Sequence, residues 1–196
     1  MSDDKYEIAY YPEICTKMGK YLDDVFRGLN NFADSQNKQL NLMIAEIHSK
    51  LGVSRSDLFY PPLKTDIAFG IEFPNDQLSP FLIEVKRGKT LSLIDYSQLI
   101  GYLQVARHIR VGLLMLVNEG SRASQLSNDF KELIDIQQLV FDWSMTSHTT
   151  GEINSFRTGI CVYTPGNGID WIDSRHSNGI SDWETLRSCL MPQGSM

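Results

Sequence analysis

The sequence predicts an α/β fold in which a mixed central β-sheet is flanked by helices. Apolar residues recur at helical spacing in two segments before residue 52, and two strand-like apolar runs follow them. A third helical segment comes next, and residues 111–117 then form a continuous apolar run that is typical of a buried central strand. Helices interleaved with strands in this order indicate a sheet covered by helices.

The chain is predicted to form a single domain over residues 1–196. Of its 196 residues, 42% are hydrophobic, which is enough for one core of ordinary size. Neither an internal repeat nor a low-complexity linker divides it. We expect the core to occupy about residues 37–117, and residues 118–196, whose pattern is weaker, to be a C-terminal elaboration.

Three helices are predicted in the first half of the chain. Apolar residues lie on one helical stripe over residues 14–33 and on another over residues 37–51. Gly52 follows the second stripe, at the position where helices commonly end. Residues 92–108 have the same periodicity and predict the third helix.

The first predicted strands form a hairpin. Residues 66–71 and 81–86 are strand-like, and the polar segment 74–77 between them is typical of a turn. Residues 111–117 predict the central strand. Later elements are expected in this order: a turn over 118–120, a helix over 123–136, strands over 139–143 and 156–163, and a short helix over 182–190.

Composition limits the compartment and the partners. No apolar stretch approaches the roughly 20 residues that span a bilayer, and the acidic N-terminus lacks the apolar region of a signal peptide. Three widely separated cysteines form neither a disulfide framework nor a paired metal motif. We therefore expect a cytoplasmic protein without membrane contact. The net charge of −6 argues mildly against a freestanding nucleic-acid binder.

Three charged residues in the predicted hairpin suggest a metal site. Asp66 heads the first strand, while Glu84 and Lys86 lie on the second and share a face because strand side chains alternate. Charges on an otherwise apolar strand are costly to bury without a function. Two carboxylates bind hard cations such as Mg²⁺, with Mn²⁺ as a possible substitute. Lys86 could then orient or deprotonate an attacking water, or stabilise charge on a phosphate.

On these residues the chain resembles the PD-(D/E)XK nuclease superfamily, which includes many restriction endonucleases and recombination and repair nucleases. The resemblance rests on Asp66, on Glu84-Val85-Lys86, on the helix that carries Gln98 and on the apolar strand from Val111. It implies a restriction-endonuclease-like core of α-β-β-β-α-β type and Mg²⁺-dependent hydrolysis of phosphodiester bonds.

The resemblance also implies further site residues. In several branches a Gln on the following helix lies near the site, and Gln98 matches it. Many members carry a metal-shell Glu on the helix before the hairpin, and Glu46 is the matching position. The family's Pro directly before the Asp is Thr65 here, and the last 80 or so residues match no pattern of the family.

Four cationic residues are candidates for DNA contact. Arg87 and Lys89 directly follow the Glu-x-Lys motif and are predicted to contact the backbone beside the metal. Arg107 and Arg110 end the third helix, where a phosphate contact competes evenly with a favourable position at the negative end of the helix dipole.

The sequence thus favours a Mg²⁺-dependent endodeoxyribonuclease: a restriction endonuclease, a nuclease of a phage-defence system, or a repair or phage nuclease. Because the chain is small and acidic, we expect it to act on DNA as a homodimer or with a larger DNA-recognising subunit. One alternative is a catalytically silent binding module. Another is an unrelated α/β binding protein, in which the carboxylates would lie on different faces.

Overall fold

A mixed β-sheet with helices on both faces forms the centre of the protein in a computed structural model that describes residues 7–54, 58–74, 76–119, 126–137, 144–146, 153–172 and 179–192. A 3₁₀ turn (Ile8–Tyr10) precedes the first helix. The helices are α1 (Tyr11–Val25), α2 (Leu40–Leu51), α3 (Leu93–Val105), α4 (Asn128–Gln137) and α5 (Trp183–Leu190). The strands are β1 (Asn31–Asp34), β2 (Ile67–Phe73), β3 (Gln77–Arg87), β4 (Val111–Val117), β5 (Ser144–Thr146), β6 (Ile153–Ser155), β7 (Arg157–Thr164), β8 (Gly168–Trp171) and β9 (Gly179–Ile180).

The strand order across the sheet is β1-β2-β3-β4-β7-β8, with β9 beside β7. The first three strands form an antiparallel meander. After β3 the chain crosses through α3 and returns as β4, parallel to β3, and β7 is parallel to β4. β5 and β6 form a separate antiparallel pair. The predicted α/β class, a mixed sheet flanked by helices, is therefore confirmed.

Two apolar layers sandwich the sheet, because successive strand residues point to opposite faces. On one face Ala68, Leu82 and Leu114 pack against α2 and α3. On the other face the neighbouring strand residues pack against α1 and α5. All seven residues of β4 are buried, since this strand lies in the middle of the sheet with helices on both sides. This explains its uninterrupted apolar sequence.

The predicted helix over residues 14–33 is wrong at its far end. α1 ends at Val25, and the chain then turns through Gly28, whose φ of +83° is favoured by glycine. Residues 31–34 form the edge strand β1 and pair with β2. The apolar spacing continues past the turn, so the predicted helix included residues that belong to β1. These residues form a strand because they pair with β2, which lies far along the chain.

The other predicted elements agree with the structure to within a few residues, except where the chain is not described. α2 ends at Gly52, and α3 begins after Ser92, which forms a capping box with Asp95. The predicted strand over 139–143 and the start of the predicted helix over 123–136 lie outside the described residues. Within the part that the structure describes, no helix is long and apolar enough to cross a membrane.

A close approach between α3 and β4 depends on Gly112. A Cβ atom at this position would lie 2.7 Å from Leu103 Cδ1 and 2.9 Å from Leu99 Cδ1, inside ordinary contact distance. The absent side chain therefore lets α3 settle on the strand that follows it, and this fixes the height of α3 above β3 and β4.

We expect Gly112→Ala to lower the free energy of unfolding by about 1–3 kcal/mol, because the added methyl group overpacks this contact. Gly101→Ala is the matched control: it lies within α3, and no atom lies within 4 Å of the place that its methyl group would take, so it should stabilise by about 0.5–1 kcal/mol. Urea unfolding of both variants measures the difference. Equal effects of the two substitutions would contradict the close approach.

Candidate active site

Asp66 and Glu84 are brought opposite each other by the pairing of β2 with β3. Ile67 pairs with Ile83 in the antiparallel register, so one further step sets Asp66 against Glu84. Asp66 Oδ2 accepts a hydrogen bond from the Val85 backbone N–H at 2.8 Å, which ties this carboxylate to β3. The two acidic residues thus do not lie on different faces of the sheet, and they meet near the carboxyl end of β3.

Glu84 is a buried carboxylate in which only one of the two oxygens has a hydrogen-bond partner among the described residues. Its residue exposure is 2%, and Oε1 accepts a hydrogen bond from Lys86 Nζ at 2.8 Å. Among the described residues Oε2 has no hydrogen-bond partner. Burial and, after it, the negative charge of Asp66 raise the pKa of Glu84 to about 7. A buried oxygen without a partner is costly, and next to a second carboxylate it fits a hard divalent cation.

Lys86 is held in the same cleft by two acceptors. It shares a strand face with Glu84, and its Nζ donates to Glu84 Oε1 and to Gln98 Oε1, the latter at 3.0 Å. Burial lowers the pKa of Lys86, but the hydrogen bond to Glu84 and the charges of Glu84, Asp66 and Glu7 together outweigh it, and the net shift is upward. In this arrangement Lys86 is therefore an ammonium that donates hydrogen bonds and not a free base.

Gln98 is positioned by the local geometry of α3. The capping box of Ser92 and Asp95 fixes the first turn of the helix, and Gln98 lies on the next turn, facing β3. Its Nε2 donates to the Tyr102 hydroxyl at 2.6 Å while its Oε1 accepts from Lys86. Both ends of the amide are thereby engaged, which orients the Lys86 ammonium towards Glu84. The structure brings Asp66, Glu84, Lys86 and Gln98 together.

Sequence reasoning missed three residues that support this group. The buried Tyr11 hydroxyl on α1 hydrogen-bonds with the Asp66 carboxylate; burial and then the Asp66 charge raise the pKa of Tyr11. Glu7 Oε1 accepts from the Arg87 backbone N–H at 2.7 Å, and its charge also raises the pKa of Glu84. Tyr102 alone had a local signal, because it lies four residues after Gln98 on one helix face.

Glu46 lies on α2, where its carboxylate pairs with Lys50 at 3.7 Å and its side chain is 41% exposed. Within the described part of the chain, no three His, Cys, Asp or Glu side chains form a group that could hold a metal ion. A metal at this site would therefore be held by the pair Asp66 and Glu84, and the role of Glu46 as an additional ligand stays a prediction.

The four cations predicted to contact DNA lie at two ends of the sheet. Arg87 follows Lys86 directly, and its guanidinium pairs with Glu119 at 2.7 Å, while Lys89 is exposed in the loop after β3. Arg107 and Arg110 are exposed between α3 and β4. Since Phe81 pairs with Val111, Arg110 is level with the start of β3, roughly 13 Å along the strand from Glu84 at about 3.3 Å per residue.

Comparison with known proteins gave no match to any family model, to any curated protein or to any solved structure. The function of the protein is therefore argued from its fold and from the geometry of the site.

The pKa of Glu84 predicts how stability depends on pH. Its folded value of about 7 lies above the ordinary value of 4.5, so the folded protein binds more protons than the unfolded chain between these values. The contribution of Glu84 to the free energy of unfolding is fully present below about pH 4.5. It is lost as pH rises through 7, which lowers the free energy of unfolding by roughly 3 kcal/mol. The raised pKa of Lys86 affects stability only at pH values above this range, because it lies above the ordinary value of 10.5.

Urea unfolding at a series of pH values, without divalent ions, tests this expectation. Glu84→Gln should remove the fall in stability between pH 5 and pH 8. Glu132→Gln, which removes an exposed carboxylate on α4, should retain it. A Glu84→Gln protein with the same pH profile as the wild type would show that Glu84 ionises normally.

Proposed function

We propose that this protein is a Mg²⁺-dependent endodeoxyribonuclease that hydrolyses DNA phosphodiester bonds. One observation carries the proposal: the buried Glu84 carboxylate feels the charge of Asp66, its Oε1 accepts from the Lys86 ammonium, and its Oε2 has no hydrogen-bond partner among the described residues. A divalent cation would coordinate the oxygens of the two carboxylates and balance their negative charge. The adjacent ammonium suits a substrate that carries negative charge, such as a phosphodiester.

The order of elements around the site supports a restriction-endonuclease-like core. Leaving out α2, the chain runs α1-β1-β2-β3-α3-β4, which is the α-β-β-β-α-β order implied by the resemblance to the PD-(D/E)XK superfamily. In this alignment α1, and not α2, is the first core helix, and α2 is an insertion between β1 and β2. The core would then begin near residue 11, earlier than the sequence indicated.

Each side chain has a distinct role in the proposed reaction. Asp66 and Glu84 would hold the ion, and Tyr11 and the Val85 N–H fix the Asp66 carboxylate. When bound, a divalent ion supplies Lewis-acid chemistry, because it neutralises charge on a phosphate oxygen and makes water a better nucleophile. Lys86 would donate hydrogen bonds to the phosphate or the attacking water, and Gln98 holds it in place.

We further propose that the chain acts on DNA as a homodimer or with a larger DNA-recognising subunit, within a restriction or phage-defence system. Its net charge of −6 provides no long-range attraction to a polyanion. Among the described residues beside the cleft, Arg87 pairs with Glu119, whereas Lys89 is exposed. Two such weak half-sites on one duplex gain affinity through effective concentration.

Plasmid cleavage tests the proposal. Mg²⁺ or Mn²⁺ should support cutting, and EDTA should abolish it. Lys86→Ala should lower the cleavage rate by roughly 10²-fold or more, the usual contribution of a positioned proton-transfer or charge-stabilising group. Lys20→Ala, which removes an exposed cation from α1, should cut like the wild type.

Two results would contradict this function. One is equal cleavage in EDTA, and the other is full activity of both Lys86→Ala and Glu84→Gln. Metal binding without cleavage of single- or double-stranded DNA would instead favour the catalytically silent module. The Gln98→Ala variant refines the roles, because loss of a positioning contact should slow cleavage less than loss of Lys86 itself.

A further inference from the structure

A cavity lies at the opposite end of the sheet from the candidate active site. It encloses about 460 Å³ where β3, β4 and β7 begin, and the end of α5 forms one wall. Ser79 at the start of β3 donates a hydrogen bond to the Leu190 carbonyl at the end of α5, at 2.9 Å. This contact joins two distant parts of the chain and fixes the shape of the cavity.

Cationic side chains line this cavity. Arg110 and Arg157 lie on neighbouring strand ends, where the Arg157 backbone N–H donates to the Arg110 carbonyl at 2.7 Å, and His108 lies two residues before Arg110. None of the lining residues that the structure describes is acidic. The chain has 24 Asp and Glu against 18 Lys and Arg, so a cavity whose described lining holds two arginines and a histidine but no acidic residue differs from the chain's overall acidic balance.

The two arginines differ in how firmly they are held. Burial raises the pKa of the Cys189 thiol, and the charge of Arg157 opposes that rise, which places the Arg157 guanidinium at the cavity wall formed by α5. The Arg157 stem also lies where a Cβ on Gly179 would meet its Cδ at 2.9 Å. The Arg110 side chain is exposed and makes no ion pair among the described residues. It is therefore available to a ligand at the mouth of the cavity.

We propose that this cavity binds the phosphate group of a small phosphorylated ligand. Guanidinium groups bind phosphate oxygens in pairs of parallel hydrogen bonds, and Arg110 and Arg157 both line the cavity. The volume falls in the range of roughly 300–1,000 Å³ that encloses small molecules. A concave pocket of about 460 Å³, unlike a flat basic stripe, suits a single ligand of mononucleotide size better than a length of DNA backbone.

The site is separate from the proposed nuclease centre. Arg110 is level with the first residues of β3, whereas Glu84 and Lys86 lie near its end. Phosphate binding here requires neither Asp66 nor a divalent ion, so it can be present in a protein that cuts no DNA. Conversely, loss of this site leaves the carboxylates and Lys86 untouched.

Isothermal titration with inorganic phosphate, adenosine 5′-monophosphate and adenosine tests the proposal in the presence of EDTA. The nucleotide should bind and phosphate should compete with it, whereas adenosine should not bind. Arg110→Gln should weaken nucleotide binding at least about tenfold, since each charge-assisted contact is strong. Arg107→Gln is the matched control: it removes an exposed arginine from the same loop that does not line the cavity.

Arg157→Lys keeps the aliphatic stem against Gly179 and tests the paired geometry without risking the fold; it should also weaken binding. The proposal is overturned if neither phosphate nor nucleotide binds, or if Arg107→Gln weakens binding as much as Arg110→Gln, which would indicate a response to overall charge. A further isothermal titration uses a short DNA duplex in place of the nucleotide. Binding of the duplex alone, with dependence on Arg110, would replace the small ligand by a nucleic-acid contact.

Discussion

The register between β2 and β3 is the constraint on which the candidate site depends. Ile67 pairs with Ile83, and Phe69 stacks on Phe81 with ring centroids 5.0 Å apart on the α1 face. A slip of one residue would turn every side chain of a strand to the opposite face. Glu84 and Lys86 would then point towards α1, away from Gln98, and the buried Phe pair would face the other layer. Packing of the core and assembly of the charged cleft are therefore set by the same strand pairing.

Within that cleft, the two carboxyl groups are not equally well stabilised. The Val85 N–H and the Tyr11 hydroxyl stabilise the Asp66 carboxylate, but Lys86 serves only one oxygen of Glu84. Burial and, after it, the charge of Asp66 raise the pKa of Glu84, in keeping with a carboxylate that is incompletely stabilised. Perturbed acidic groups of this kind concentrate at functional sites. A cation bound at the Glu84 oxygen that has no partner among the described residues would stabilise this carboxylate, and this is why we propose a metal here.

The sequence predicted the parts of this site that are local. Strand alternation alone placed Glu84 and Lys86 on one face, and the polar turn between two apolar runs gave the hairpin that carries Asp66. By contrast, β1 was hidden inside an apparent helix because its stabilising partner, β2, is more than 30 residues away in the chain. Tyr11 and Glu7 reach the site from the N-terminal end, and no spacing rule relates them to Asp66 or Arg87.

The positions of Arg110 and Arg157 likewise could not be predicted from local sequence patterns. Arg110 was predicted either to contact phosphate or to lie favourably at the negative end of a helix dipole, and the parallel pairing of β3 with β4 sets it at the other end of the sheet from Lys86. Arg157, its neighbour there, lies beyond segments that carry little regular pattern. Parallel pairing through a crossover helix brings together residues that local periodicity cannot relate.

The number of Mn²⁺ ions bound per chain, read from the electron paramagnetic resonance signal of free Mn²⁺ at pH 7.5, tests the central claim most directly. We expect one ion for the wild type, one for Glu132→Gln, and none at the same concentration for Glu84→Gln or Asp66→Asn. A Glu84→Gln protein that binds Mn²⁺ as the wild type does, or a wild type that binds none, would contradict the assignment of Asp66 and Glu84 as a metal site.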